Sequence, residues 1–239
     1  KIGYDAWLAT PGWVRSTTAA LEKVGAKLVA VDGNPIDAVW QDRPAQSDAA
    51  ARVHADEHAG RNAQDKRQAI ADWLTEEKLD AVVLSALDSV GWAFNIRGAD
   101  IAHTPVAMAF ALVSQDGTAQ LFIDENKVSP ELKQHLGNAV SIRPRTEFET
   151  ALGEVGDKRI ALDPEYGVAA IAQALEAGGA VKAPCTSSAS VMGDCKNSRT
   201  YRAVGWFLAA LVILVNFYVV LTTDVFDFSS GLTVFIAAV

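Results

Sequence analysis

Apolar residues recur along this chain in two rhythms. Trp13, Val14, Thr17, Ala20, Leu21 and Val24 fall at helical spacing, and Gly25 supplies a stop. Ile70, Trp73 and Leu74 share one face of a second predicted helix over residues 64–77. Residues 1–4 and 27–31 read as short strands, and residues 79–85, dense in Val and Leu, as a buried strand of a parallel or mixed sheet. Strands over 106–114 and 119–123 flank Gln115-Asp116-Gly117-Thr118, whose Asp-Gly step signals a hairpin. Beyond it, helices over 130–136, 147–152 and 168–177 alternate with strands over 140–142, 159–162 and 180–183. Alternating strands and helices with one inserted hairpin predict the α/β class with a mixed sheet. Residues 45–62 are polar, rich in Ala and without period, and read as an interdomain connection.

A faint repeat runs through this pattern. A strand, an Asp-containing loop, a helix, a Gly-Ala step and another strand begin at Lys1 and again at Arg159. The pattern is also what any strand–helix–strand unit gives. Taken as a repeat, it means that the chain opens on the last third of one domain and continues with a complete second copy.

The end of the chain is different. Residues 203–223 hold no charged side chain, close to the roughly 20 apolar residues that cross a bilayer as a helix. Lys196, Arg199 and Arg202 lie before the run, while Asp224 and Asp227 follow it. That asymmetry predicts a transmembrane-like helix with the preceding residues cytoplasmic. A second apolar run begins at Gly231.

Charge and motifs then narrow the function. A net charge of −8 argues against a nucleic-acid surface built on phosphate contacts. Cys185 and Cys195 are spaced for a disulfide, but read better as idle thiols of a reducing compartment. Without a local His or further Cys they do not complete a zinc site. The first residue is Lys1, and no signal peptide is legible ahead of the first strand. Neither a nucleophile elbow, a P-loop nor a dinucleotide fingerprint occurs.

The segment from Ala81 to Asp100 carries a strand, a Leu87-Asp88-Ser89 turn and Trp92-Ala93-Phe94-Asn95-Ile96-Arg97-Gly98-Ala99-Asp100. It resembles the second domain of three-domain aminopeptidase P enzymes (Xaa-Pro aminopeptidases), and His103-Thr104-Pro105-Val106 continues the likeness. Upstream, Gly3-Tyr4-Asp5 and the run from Gly33 to Trp40 resemble the close of that family's first domain. Downstream, Asp163-Pro164, Cys185 and Lys196-Asn197 resemble the approach to its catalytic domain.

The resemblance implies two tandem creatinase-type (ribonuclease H-like) α/β domains. Residues 1–44 are then the end of the first, 45–63 a linker, 64–197 the second, and 198–239 an apolar tail unlike the family. In such enzymes a following domain holds two divalent metal ions, usually manganese. A metal-bridging hydroxide there attacks the peptide bond before a penultimate proline. The resemblance also implies a homodimer, with the amino-terminal domains shaping the cleft mouth and dimer contact. It carries no catalytic or metal-ligating residue onto this chain, which is expected to be inactive alone. The alternative is a membrane-anchored binding or dimerisation module that reuses a creatinase-type domain. The apolar tail itself is expected to reflect a join between genes, a frameshift or a natural fusion.

Four residues are candidates for the substrate cleft or an interdomain contact: Asn95, Arg97, Asp100 and His103. Arg97 and Asp100 either reach the cleft mouth or pair with one another to hold their loop. His103 either points into the cleft or sits on a surface loop. His54, Asp56, Glu57 and His58 have the spacing of a metal site on a helix face, but lie in the solvated, linker-like stretch.

Overall fold

A computed structural model of the protein describes residues 1–163 and 167–184. The chain opens with β1 (Ile2–Tyr4), α1 (Pro11–Glu22) and β2 (Leu28–Ala30). Thr10 caps α1 by accepting from the Trp13 N–H, and Pro11 occupies the first turn, where no backbone donor is required. β1 and β2 pair in parallel, Ile2 opposite Leu28. α2 (Pro35–Val39), capped by the Asn34 side chain, completes this opening segment. A cavity of about 390 Å³ opens beside it, lined by Tyr4, Asp5, Leu8, Ala9, Thr10 and Trp13.

The stretch expected to be a bare connection contains β3 (Arg52–Val53) and α3 (Asp56–Ala59). Next come α4 (Ala63–Glu76), β4 (Ala81–Leu84), α5 (Leu87–Phe94) and β5 (Ile96–Arg97). The hairpin follows as β6 (Phe110–Ser114) and β7 (Ala119–Phe122). Gly117 takes a φ of +80° at its turn, which a glycine adopts without steric cost. The remainder is α6 (Pro130–Leu136), β8 (Val140–Arg143), α7 (Phe148–Gly153), β9 (Arg159–Leu162), α8 (Ala169–Ala177) and β10 (Val181–Pro184).

Six strands form one mixed sheet in the order β10-β9-β4-β6-β7-β8. Strands β10, β9 and β4 run parallel, β6 is antiparallel to both β4 and β7, and β8 is parallel to β7. Successive strand residues point to opposite faces, so each strand feeds two cores. Val82, Ala111, Val113, Leu121 and Ala161 join Ile70, Leu74, Val90, Phe94, Leu132 and Leu136 of the helices on one face. Ala81, Val83, Leu112, Phe122, Ile160 and Leu162 join Phe148, Leu152, Ile171 and Leu175 on the other. This sandwich explains why the strands are apolar throughout rather than alternating. Burying a Leu, Ile or Phe side chain in such a layer stabilises by about 1.5–3 kcal/mol before entropy is counted.

One part of the expected fold class is corrected. It joined a transmembrane-like helix to the α/β domain, but among the described residues no helix is long and apolar enough to cross a membrane. The longest described helix, α4, has 14 residues and buries Lys66 and Arg67 with its apolar side chains. At 1.5 Å per residue such a helix reaches roughly 21 Å, short of a hydrocarbon core of about 30 Å. The fold class is α/β, a mixed sheet with flanking helices. The segment 203–223, to which the membrane helix was assigned, and Cys185 and Cys195 lie outside the described residues.

The two halves of the sequence repeat adopt matching shapes. β9, α8 and β10 reproduce β1, α1 and β2: a parallel strand pair joined through a helix, with Gly179 and Gly25 at positive φ before the second strand. They meet directly. α8 lacks a side-chain cap, and its Ala169 and Ala170 N–H groups donate to the carbonyls of Ala9 (2.7 Å) and Ala6 (2.9 Å). Trp7 donates from Nε1 to Glu149 Oε1 at 2.7 Å, and Gln173 Nε2 donates to the Tyr4 hydroxyl at 2.8 Å. Their surroundings differ. α8 buries Ala169, Ile171, Ala172 and Leu175, whereas α1 buries no residue and leaves Trp13 47% exposed.

Candidate functional site: the β3–β5 ribbon

The motif from Gly91 to Gly98 is built around two close approaches. A Cβ on Gly91 would lie 3.2 Å from the Ile96 carbonyl oxygen and 3.5 Å from Arg97 Nη1. A Cβ on Gly98 would come within 2.6 Å of the Val106 carbonyl oxygen. The first glycine lets the Arg97 side chain fold back over α5, where Nη1 donates to the carbonyls of Gly91 (3.0 Å) and Ile96 (2.9 Å). The second lets the chain leaving β5 run against residues 106 and 107.

Asn95 is the hub between them. It ends α5 in the left-handed region, φ 49° and ψ 49°, where Asn is tolerated better than most residues. Fully buried, it receives Lys66 Nζ on Oδ1 at 2.6 Å. Its Nδ2 donates to Asp56 Oδ1 at 3.0 Å and to the Arg61 carbonyl at 2.9 Å, and its own carbonyl accepts from the His54 N–H. One side chain thus ties α3, α4 and α5 to the short antiparallel ribbon of β3 and β5. In that ribbon Arg52 lies opposite Arg97, and Val53 opposite Ile96.

Asp100 faces elsewhere. Its Oδ1 accepts from Lys127 Nζ at 2.7 Å with both side chains nearly sealed from solvent, and its Oδ2 accepts from the Met108 N–H at 2.6 Å. Arg97 and Asp100 therefore do not form the mutual pair that their spacing offered. His103 stands on an exposed turn at φ 60°, with no hydrogen bond to Asn95, Arg97 or Asp100 among the described residues. Asn95 and Arg97 share the ribbon, while Asp100 and His103 lie along the loop that follows it.

Electrostatics mark the ribbon as cation-rich. Partial burial and the charges of Arg97, His58 and Lys66 hold the His54 imidazole below its ordinary pKa. Burial, then Arg97, pulls the Lys66 ammonium down, opposed by the Asp56 carboxylate. Lys66 Nζ also lies 5.0 Å from the ring centre of Trp92, which is 43% exposed. The His54 and His58 rings are 6.1 Å apart, and Glu57 reaches His58 at 3.3 Å. No group of three or more His, Cys, Asp or Glu side chains among the described residues could hold a metal ion.

Sequence reasoning missed Lys66, Lys127, Arg52 and Trp92. For Lys66 a signal was present: Ala63, Lys66, Ile70 and Leu74 fall at helical spacing on one face of α4, so a charged residue stood in an apolar stripe. Such a position asks for a buried polar partner.

Comparison with known proteins agrees with this architecture. Residues 42–199 match the family model of the creatinase/prolidase N-terminal domain. A probable Xaa-Pro aminopeptidase P from Aspergillus niger is 42% identical over 144 residues, covering 60% of this chain and 23% of that protein. Its counterpart from Aspergillus clavatus is 42% identical over 157 residues, covering 64% of this chain and 24% of that protein. The crystal structure of X-prolyl aminopeptidase from Caenorhabditis elegans, described as a cytosolic enzyme with a di-nuclear active site, superimposes with a TM-score of 0.70 at 27% identity. That likeness covers 79% of this chain and 31% of the nematode enzyme. The chain thus spans about a quarter of the length of these curated relatives. With a mixed six-stranded sheet, the Gly91–Gly98 motif and a family match over most of its length, the chain belongs to the creatinase/prolidase N-terminal domain family, as a relative of the Xaa-Pro aminopeptidases.

Proposed function

We propose that this chain is the non-catalytic amino-terminal part of an Xaa-Pro aminopeptidase, a metallopeptidase that removes the residue preceding a penultimate proline. The observation that carries the reading is the joint likeness, in sequence and in fold, to enzymes of that activity. Residues 1–44 close a first creatinase-type domain, 45–63 join it to the next, and 64–197 form the second. The open condition of α1, with no buried residue, supports the first of these assignments, because its counterpart α8 is covered. The two metal ions, manganese by family resemblance, belong to a catalytic domain elsewhere in the protein. By family resemblance the substrate is a peptide and the assembly a homodimer; the location is cytosolic, as the nematode enzyme is described.

Within that frame the loop of Asn95, Arg97, Asp100 and His103 borders the cleft mouth or the contact with the catalytic domain. Its members position rather than react: the Asn95 hub and the Asp100–Lys127 pair fix the loop, and Arg97 and His103 present polar atoms beside it. The test compares the chain with the full-length protein on an Xaa-Pro peptide with manganese added. Release of the first residue is expected from the full-length protein and not from the chain. Metal-dependent turnover by the chain alone overturns the proposal.

A further inference from the structure

Four basic side chains belong to the ribbon and the segment beside it: Arg52, Arg61, Lys66 and Arg97. Among the described residues none of them is in an ion pair. Arg52 and Arg97 are register partners on the antiparallel pair, and Arg97 turns its Nη1 onto the Gly91 and Ile96 carbonyls, not onto a carboxylate. Lys66 is 3% exposed, yet its ammonium is met by a neutral amide, at 2.6 Å, and not by a carboxylate. Asp56 accepts from Asn95 and balances Lys66 through that amide, and Glu57 faces His58, so neither carboxylate is in an ion pair with Arg52 or Arg97 among the described residues. These two guanidinium groups without an ion-pair partner among the described residues stand in a protein of net charge −8. Beside it, Trp92 offers an exposed aromatic face 5.0 Å from Lys66 Nζ. Cations next to a flat apolar surface suit a ligand with an anionic end and an apolar body.

We infer that the β3–β5 ribbon binds the C-terminal carboxylate of a peptide, held by Arg52 and Arg97, with Trp92 covering the neighbouring side chain. The choice of a peptide rests on the peptidase reading above; the anionic character of the ligand rests on the ribbon alone. Arg97 is already anchored through Nη1, so it meets the carboxylate as a pre-set donor with little side-chain entropy left to lose. Arg52 is exposed and closes the site from the opposite strand.

The isotopically labelled full chain is titrated with the tetrapeptide Ala-Pro-Ala-Ala as free acid and as C-terminal amide, following the Trp92 indole and the Asn95 and Arg97 amide resonances. The acid is expected to shift these signals, and the amide to bind at least fivefold more weakly. Arg52→Gln should weaken binding of the acid about fivefold, the loss of one partly exposed charge contact, and Arg52→Lys should keep most of it. Inorganic phosphate should displace the acid by competing for the same cations. Equal shifts by acid and amide, no shift by either at millimolar peptide, or unchanged affinity in Arg52→Gln would each overturn the inference. So would shifts by phosphate with none by the peptide acid. If the full-length protein fails to cleave Xaa-Pro bonds while acid-specific shifts persist, the peptidase reading fails and this site stands. Turnover without acid-specific shifts sinks the site alone.

Discussion

Removing the carboxylate of Asp100 is the sharpest perturbation of the loop. Its side chain is 1% exposed and that of Lys127 5%, with 2.7 Å between the charged atoms. Asp100→Ala leaves a buried ammonium without a counter-charge and deprives the Met108 N–H of its acceptor. Breaking a buried pair from one side costs about 3–5 kcal/mol, whereas replacing both partners by apolar residues of similar volume is close to neutral. Asp100→Leu with Lys127→Met should therefore recover most of what Asp100→Ala loses. Urea unfolding of the two variants and the parent, followed by circular dichroism, measures both quantities. Acid adds an independent check. Burial pushes the Asp100 carboxyl upward, but Lys127, the Met108 N–H and the Ser47 hydroxyl together outweigh it and hold the group below its ordinary pKa. A carboxyl lowered by folding stabilises the native state fully above its unfolded pKa. That contribution disappears as the pH falls through the folded value. The parent should thus lose stability below the usual aspartate range more steeply than the double variant. If Asp100→Ala costs less than 1 kcal/mol, or the double variant is no more stable than the single one, the pair does not hold this loop.

Further outcomes follow from the same region and its surroundings. Asn95→Ala strands Lys66 and removes the Asp56 and Arg61 contacts, so urea unfolding should show a loss of about 2–4 kcal/mol. Gly98→Val places its Cβ within 2.6 Å of the Val106 carbonyl and should abolish the cooperative thermal transition expected of the parent, as calorimetry of the two would show. Arg67 is buried on α4 with Nε and Nη1 unpartnered among the described residues, so Arg67→Met should be neutral or raise stability by about 1 kcal/mol; a loss above 2 kcal/mol in calorimetry contradicts that account.

The regular elements were legible wherever a local rule decides them. The Asp116-Gly117 step fixes the hairpin because Gly117 must take a positive φ, and Asp116 accepts from the Thr118 N–H beside it. The buried strand at Ala81–Leu84 was readable because a strand covered on both faces is apolar throughout. β3 and α3 were not, since a two-residue strand and a single helical turn are too short to show a period. The candidate loop was found through its motif, but its wiring was hidden. Asp100 has a residue of opposite charge three positions away, yet its partner is Lys127, 27 positions on; Asn95 is held by Lys66, 29 positions back. Such long-range choices are made when the sheet assembles, and no spacing along the chain encodes them.

The way α8 begins has a consequence for dissecting the protein. Its leading amides rest on the carbonyls of Ala6 and Ala9, so a truncation starting after Thr10 would strip the cap from a helix more than 150 residues downstream. The opening segment is therefore an integral buttress of the larger sheet, and protease trimming of the first ten residues should loosen α8 first.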